Sequence, residues 1–255
     1  MSIFISLKED IKKVSDTQKA KFFQRFFKTK KGEYGYGDIF VGLTVPQSRV
    51  IAKKYKELSL SDIDQLLKSK VHEERLIALL ILVEQFKKAN NKKKKEIFDF
   101  YLTHTKYINN WDLVDLTADK IIGAYLFDIY SLGIDAKATE SIIPQEHLHD
   151  RILTELAHSS NIWERRISII ATFTFVKSGN FKETFKIAEI LLHDKEDLIH
   201  KAVGWMLREV GKRVSIDEEE MFLRKHYKSM PRTMLRYAIE KFSEEKRIAY
   251  LKGMI

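Results

Sequence analysis

The chain has 255 residues, is 44% hydrophobic and 32% charged, and carries 45 Lys and Arg against 36 Asp and Glu, a formal net charge of +9. That length suffices for a substantial core, no run of about 18 apolar residues suggests a membrane span, and the absence of cysteine excludes disulfides and thiolate metal sites. With only 3 Pro and 10 Gly, the chain is too poor in turn residues for a β-sandwich, and its i, i+3, i+4 apolar spacing predicts an all-α protein.

The opening MSIFISLKEDIKK acquires charge too early for a secretory signal, so a cytoplasmic protein is expected. Residues 3–28 read as one or two helices, and Phe22, Phe23, Phe26 and Phe27 form an aromatic edge expected to pack in the core. Residues 28–37 (KTKKGEYGYG) are the most loop-like stretch. Its lysines, with Tyr34 and Tyr36, suit either a segment lying along a phosphate backbone or a solvated connector. In FVGLTVPQSR (40–49), Thr44 and Gln47 have capping-box spacing and Pro46 falls in the first turn, predicting a helix to about Leu58. Ser61 is the expected cap of a helix through Leu67.

From residue 72 a pattern repeats: a charged opening, then an apolar helix. Basic residues begin the apolar part at Arg75, Arg166, Lys201 and Arg236, the last three each 35 residues apart. That period is produced by stacked two-helix units, which bury their apolar faces only against neighbours and so build a solenoid. The longer interval between Asp115 and Arg166 predicts an insertion around 130–149. Asn109 or Asn110, Asn161 and Ser215 are the expected caps of later helices, and Lys92–Lys95 the solvated face of one. A single repeat domain over 1–255 is expected, with N-terminal helices and the basic loop in 1–58 and helical repeats in 59–255.

All three tryptophans lie beside charge, in WDLVD, WERR and WMLRE. Trp163, just after its cap, is expected to pack. Trp111 and Trp205, with Arg166, are expected on equivalent helices facing a concave basic groove. Trp111 and Asp115 are four residues apart and share one helix face. An indole face attracts cations and packs on sugar edges. A carboxylate, ionised at neutral pH, stabilises an oxocarbenium-like transition state, and arginine forks onto phosphate. An alkylated purine is already cationic, so its departure needs no proton and one carboxylate suffices. Asp112 points elsewhere and reads as structural. No metal-ligand spacing, phosphate loop or Gly-x-Ser-x-Gly occurs, so neither metal nor cofactor is expected.

FVGLTVPQSR (40–49), NNWDLVD (109–115), SSNIWERRISII (159–170) and KAVGWMLREVGK (201–212) together resemble the AlkD-type DNA alkylation repair proteins, over about residues 20–245. The resemblance implies a right-handed α-solenoid of HEAT-like repeats and excision of N3- and N7-alkylated purines, such as 3-methyladenine and 7-methylguanine, from duplex DNA with the lesion left in the stack. It implies Asp115 as the catalytic carboxylate, Trp111 and Trp205 as groove tryptophans and Arg166 as the phosphate ligand. Arg165, Lys201, Arg208, Tyr34 and Tyr36 are then expected to bind DNA, by a monomer that associates with the nucleoid. Asp197 and Leu198 depart from the resemblance, standing where some relatives carry an aromatic pair. A non-catalytic reading, as a DNA-structure or protein-binding scaffold, uses the same helices.

Overall fold

The computed structural model describes residues 3–132 and 148–255, and the expected insertion around 130–149 lies largely outside them. Among the described residues the chain is helical, with no strand and a single isolated parallel bridge between Ile39 and Val71. None of these helices is long and apolar enough to cross a membrane. Two compact units form, residues 1–117 and 118–255.

In the first unit, α1 (Ile3–Lys13) and α2 (Thr17–Phe26) precede a loop through residue 44, followed by α3 (Val45–Lys54), α4 (Leu60–Leu67), α5 (His72–Lys88), α6 (Asn91–Thr103) and α7 (Trp111–Asp115). The Thr44–Gln47 box forms, with Gln47 Oε1 accepting from the Thr44 amide at 2.9 Å and from its hydroxyl at 2.7 Å. The helix ends at Lys54 rather than near Leu58. Ser59, not Ser61, caps α4, accepting from the Asp62 amide at 3.1 Å. Sequence favoured Ser61 because acids follow it, but the apolar register of Ile63, Leu66 and Leu67 sets the first turn two residues earlier.

The Phe22–Phe27 edge divides. Phe27 is buried, whereas Phe22 and Phe26 are 54% and 53% exposed, and α2 buries none of its side chains. Their rings stack on one another, and Phe26 meets Phe27 edge-on, instead of filling a core.

Unit 2 begins with a π-turn (Asp119–Gly123) leading into α8 (Ala124–Leu132). Beyond residue 147 come α9 (Leu148–Ala157), α10 (Ile162–Ala171), α11 (Phe173–Lys177), α12 (Lys182–Ile190), α13 (Asp197–Arg213), α14 (Ile216–His226), α15 (Arg232–Ala238) and α16 (Glu244–Lys252). Asn161 and Ser215 cap α10 and α14 as expected. Gly204 lets α13 approach α15, since a Cβ there would lie 2.4 Å from the Met234 carbonyl. Trp163 is buried in the core, matching its expected packing role.

Candidate active site

Helix α7 is five residues long and is held by its surroundings more than by its own hydrogen bonds. Asn110, fully buried, caps it by accepting from the Trp111 amide at 2.9 Å. Asp112, Leu113 and Val114 face inward, while Trp111 and Asp115 remain half-buried at its two ends. The i, i+4 pair read from the sequence is therefore present as a pair, one turn apart.

What fixes α7 is a buried charge cluster that the sequence did not single out. His72 Nε2 lies 2.8 Å from Asp112 Oδ2, and its Nδ1 lies 3.1 Å from Asp38 Oδ2. Arg75 pairs with Asp38 at 2.7 Å and donates to the Ser69 carbonyl at 2.9 Å. With both ring nitrogens facing carboxylates, the imidazolium is the form that satisfies both contacts, and it leaves the four groups with no net charge. Burial opposes charge on the ring, but the Asp112 carboxylate and the hydrogen bonds to Asp112 and Asp38 outweigh it, raising the pKa of His72 to about 9. Burial likewise opposes ionisation of Asp38, and the His72 hydrogen bond and the Arg75 charge reverse the balance, holding its carboxyl below the usual range.

Glu73 anchors the loop ahead of α3. Its buried carboxylate accepts from the amides of Val41, Gly42 and Leu43, the shortest at 2.8 Å. Gly42 makes this turn possible. Its φ is +88°, and a Cβ there would sit 2.0 Å from the Asp16 carbonyl, at the start of α2. Loop 40–43 is thus gripped between α5 and α2.

These elements border a half-open cavity of about 390 Å³ in unit 1. Phe23, Phe26, Phe27, Phe40 and Trp111 line it, with Asp112 and Asp115 from α7 and His72 and Glu73 from α5. Trp111 stacks on Phe27 (ring centroids 5.2 Å apart, 16° between planes) and meets Phe26 edge-on at 5.9 Å. Phe27 stacks on Phe40, which stacks on the His72 ring at 4.5 Å. Nothing in the sequence announced this cavity, because its walls come from four separated segments.

In the same unit, Tyr36 is exposed and the Lys28 ammonium lies 5.9 Å from the Tyr34 ring centroid. The other expected site residues belong to unit 2. Trp205 is half-buried, its Nε1 donating to Glu209 at 3.3 Å and its ring 6.1 Å from Phe173. Lys177 and the Arg213 guanidinium lie 4.8 and 5.1 Å from the Phe173 centroid and are paired with Asp119 and Glu209, contacts that no sequence motif marked. Arg166 is only 5% exposed, and its Nη1 donates to the Leu198 carbonyl. At that burial, a fork onto phosphate requires the guanidinium to be uncovered first. Arg165 pairs with Asp194 at 2.6 Å and donates to the carbonyls of Ser159 and Ser160, Lys201 pairs with Asp197 at 2.7 Å, and Arg208 pairs with Glu240. The Lys201 contact holds the Asp197 carboxyl below its ordinary pKa. The repeat cations are therefore balanced locally, which a count of net charge does not reveal.

The model of the DNA alkylation repair enzyme family matches residues 7–242. The chain belongs to that family. Membership gives it a role in DNA repair with DNA as its partner. No curated protein matches it. A solved structure described as a predicted DNA alkylation repair enzyme from Enterococcus faecalis superposes with a TM-score of 0.65, covering 90% of this chain and 97% of its own at 15% identity. At that identity the likeness establishes the all-helical fold of this family member and nothing about its site.

Proposed function

We propose that this repair protein is a DNA glycosylase that hydrolyses the N-glycosidic bond of cationic N3- and N7-alkylated purines in duplex DNA. The observation that carries the reading is α7: it holds an indole and a carboxylate one turn apart at the edge of an aromatic cavity. As the C1′–N bond breaks, its electron pair leaves with the base and cancels the positive charge there. Charge then develops on the sugar, where the Asp115 carboxylate stabilises it. Water bonds to C1′, and its proton passes to Asp115. The leaving base needs no acid, consistent with a single carboxylate in the catalytic role. Trp111 packs against the sugar edge. In unit 2, Trp205 and, once uncovered, Arg166 would contact the DNA, with Tyr34 and Tyr36 of the basic loop following the backbone.

The test is release of 7-methylguanine from a methylated duplex. The parent protein is expected to release it, and Asp115→Asn to lose at least about 100-fold, the scale of removing one electrostatic stabiliser. Equal rates in the two proteins would end the assignment. The local pairing of Arg165, Lys201 and Arg208 supports a second reading, a scaffold that binds a protein. Salt titration separates the two, because neutralising about six phosphates gives a log–log slope near −5, and a protein partner gives a flat response.

A further inference from the structure

Helix α13 carries Trp205, Glu209 and Arg213 at four-residue intervals, so the three side chains lie along one face, turn upon turn. Glu209 is 6% exposed, and a carboxylate at that depth is costly unless it is paired. Its Oε2 accepts from Arg213 Nε at 2.5 Å and its Oε1 from the Trp205 indole N–H at 3.3 Å. The shorter, charged bond fixes the carboxylate, and the carboxylate in turn holds the indole. The Arg213 guanidinium lies 5.1 Å from the Phe173 centroid, and Phe173 lies 6.1 Å from the Trp205 ring. Trp205, Glu209, Arg213 and Phe173 therefore close a ring of contacts within unit 2.

An indole has a single donor, and here it is committed to Glu209. Swinging the half-buried ring away would strip a buried carboxylate oxygen of that partner, which is costly. What Trp205 has left to offer a ligand is its carbon surface. A carboxylate on the N–H polarises the ring and makes its face a better partner for a cation or a sugar edge.

We propose that Glu209 is a positioning residue: it tethers Trp205 by the indole N–H, so that the ring surface meets DNA in one fixed orientation. The proposal rests on the reading of Trp205 as a DNA contact and deepens it. A contact side chain ordered before its ligand arrives spares binding the cost of ordering it.

The test has two readouts on the full chain. In the indole ¹H–¹⁵N spectrum of the free protein, the Trp205 signal is identified by its loss in Trp205→Phe. Glu209→Gln should move that signal and leave those of Trp111 and Trp163 in place. Arg213→Gln, at an exposed position, removes the anchor of Glu209 and should move the same signal even if the Glu209 variants fold poorly. The second readout is affinity for duplex DNA at fixed salt. Removing an acid should by charge alone tighten binding to a polyanion. Glu209→Ala is instead expected to weaken it by about tenfold in the parent and by less than about twofold in Trp205→Phe, where there is no N–H to hold. A Trp205 signal unmoved in the folded variants, or equal loss of affinity in both backgrounds, would overturn the proposal. Trp205→Phe binding DNA as tightly as the parent would take the DNA role from Trp205 and from Glu209 with it. Base release is measured separately, and its absence from the parent defeats the glycosylase reading alone.

Discussion

Removing the His72 side chain should expose how much of unit 1 depends on its charge. The folded-state pKa of about 9 stands above the ordinary value of 6.5. For a raised pKa, the stabilisation is complete below the unfolded-state value, shrinks as pH rises between the two values, and is gone above the folded one. At about 1.4 kcal/mol per pH unit, this separation corresponds to about 3 kcal/mol. The residue is 1% exposed, so solvent screening does not dilute the effect. The assay is urea unfolding of the parent and of His72→Gln, followed by Trp111 fluorescence with Trp163 and Trp205 replaced by phenylalanine. Other groups titrate over the same range in both proteins, so the informative quantity is the difference between them. Near pH 6 that difference should be at its largest, and near pH 10 it should have fallen by about 3 kcal/mol. A difference independent of pH would refute the imidazolium, and with it the account of what holds α7.

Other outcomes follow from single contacts. Gly42→Ala should destabilise the protein by more than about 2 kcal/mol, through both the positive φ and the collision with the Asp16 carbonyl, read as a lowered denaturation midpoint. Asn110→Ala removes the cap of α7 and should cost about 1 kcal/mol, with base release falling further than global stability does. Burial, with help from the Glu220 charge, raises the pKa of Glu219 to about 8. Its stabilising contribution is present in full below the ordinary carboxyl range and is lost as pH rises through 8. Glu219→Gln should therefore melt close to the parent near pH 5 and above it near pH 9, and a melting difference that does not grow with pH would count against that burial.

Much of the fold was legible because helices advertise themselves by periodicity and caps. The Thr44–Gln47 box, Asn161 and Ser215 stand where spacing put them, and the Trp111–Asp115 pair survives as a pair on one short helix. The 72–75 stretch was harder. His-Glu-Glu-Arg at the head of an apolar helix reads only as a charged opening, yet all four residues are buried, and their partners come from residues 8, 38, 41–43, 69 and 112. Sequence shows a charge but not its distant counter-charge. The same blindness affected Arg165 and Lys201, whose net positive charge suggested phosphate and whose acids, Asp194 and Asp197, sit within reach. Phe22 and Phe26 erred in the opposite direction: aromatic spacing implied a core, and the rings instead stand half in solvent.

Helix α2 buries none of its own side chains, yet Phe23 and Phe26 form part of the wall around the cavity. It is tied down at its start, where the Asp16 amide donates to the Val41 carbonyl at 2.9 Å, and at its end by Phe27. Between those two moorings its amides should exchange with deuterium at low opening energy, far sooner than those of α5, whose length lies in the interior. One side of the chamber is then compliant and the opposite side stiff, so a change in its volume would come from yielding of α2 while Asp112, held by His72, keeps its position.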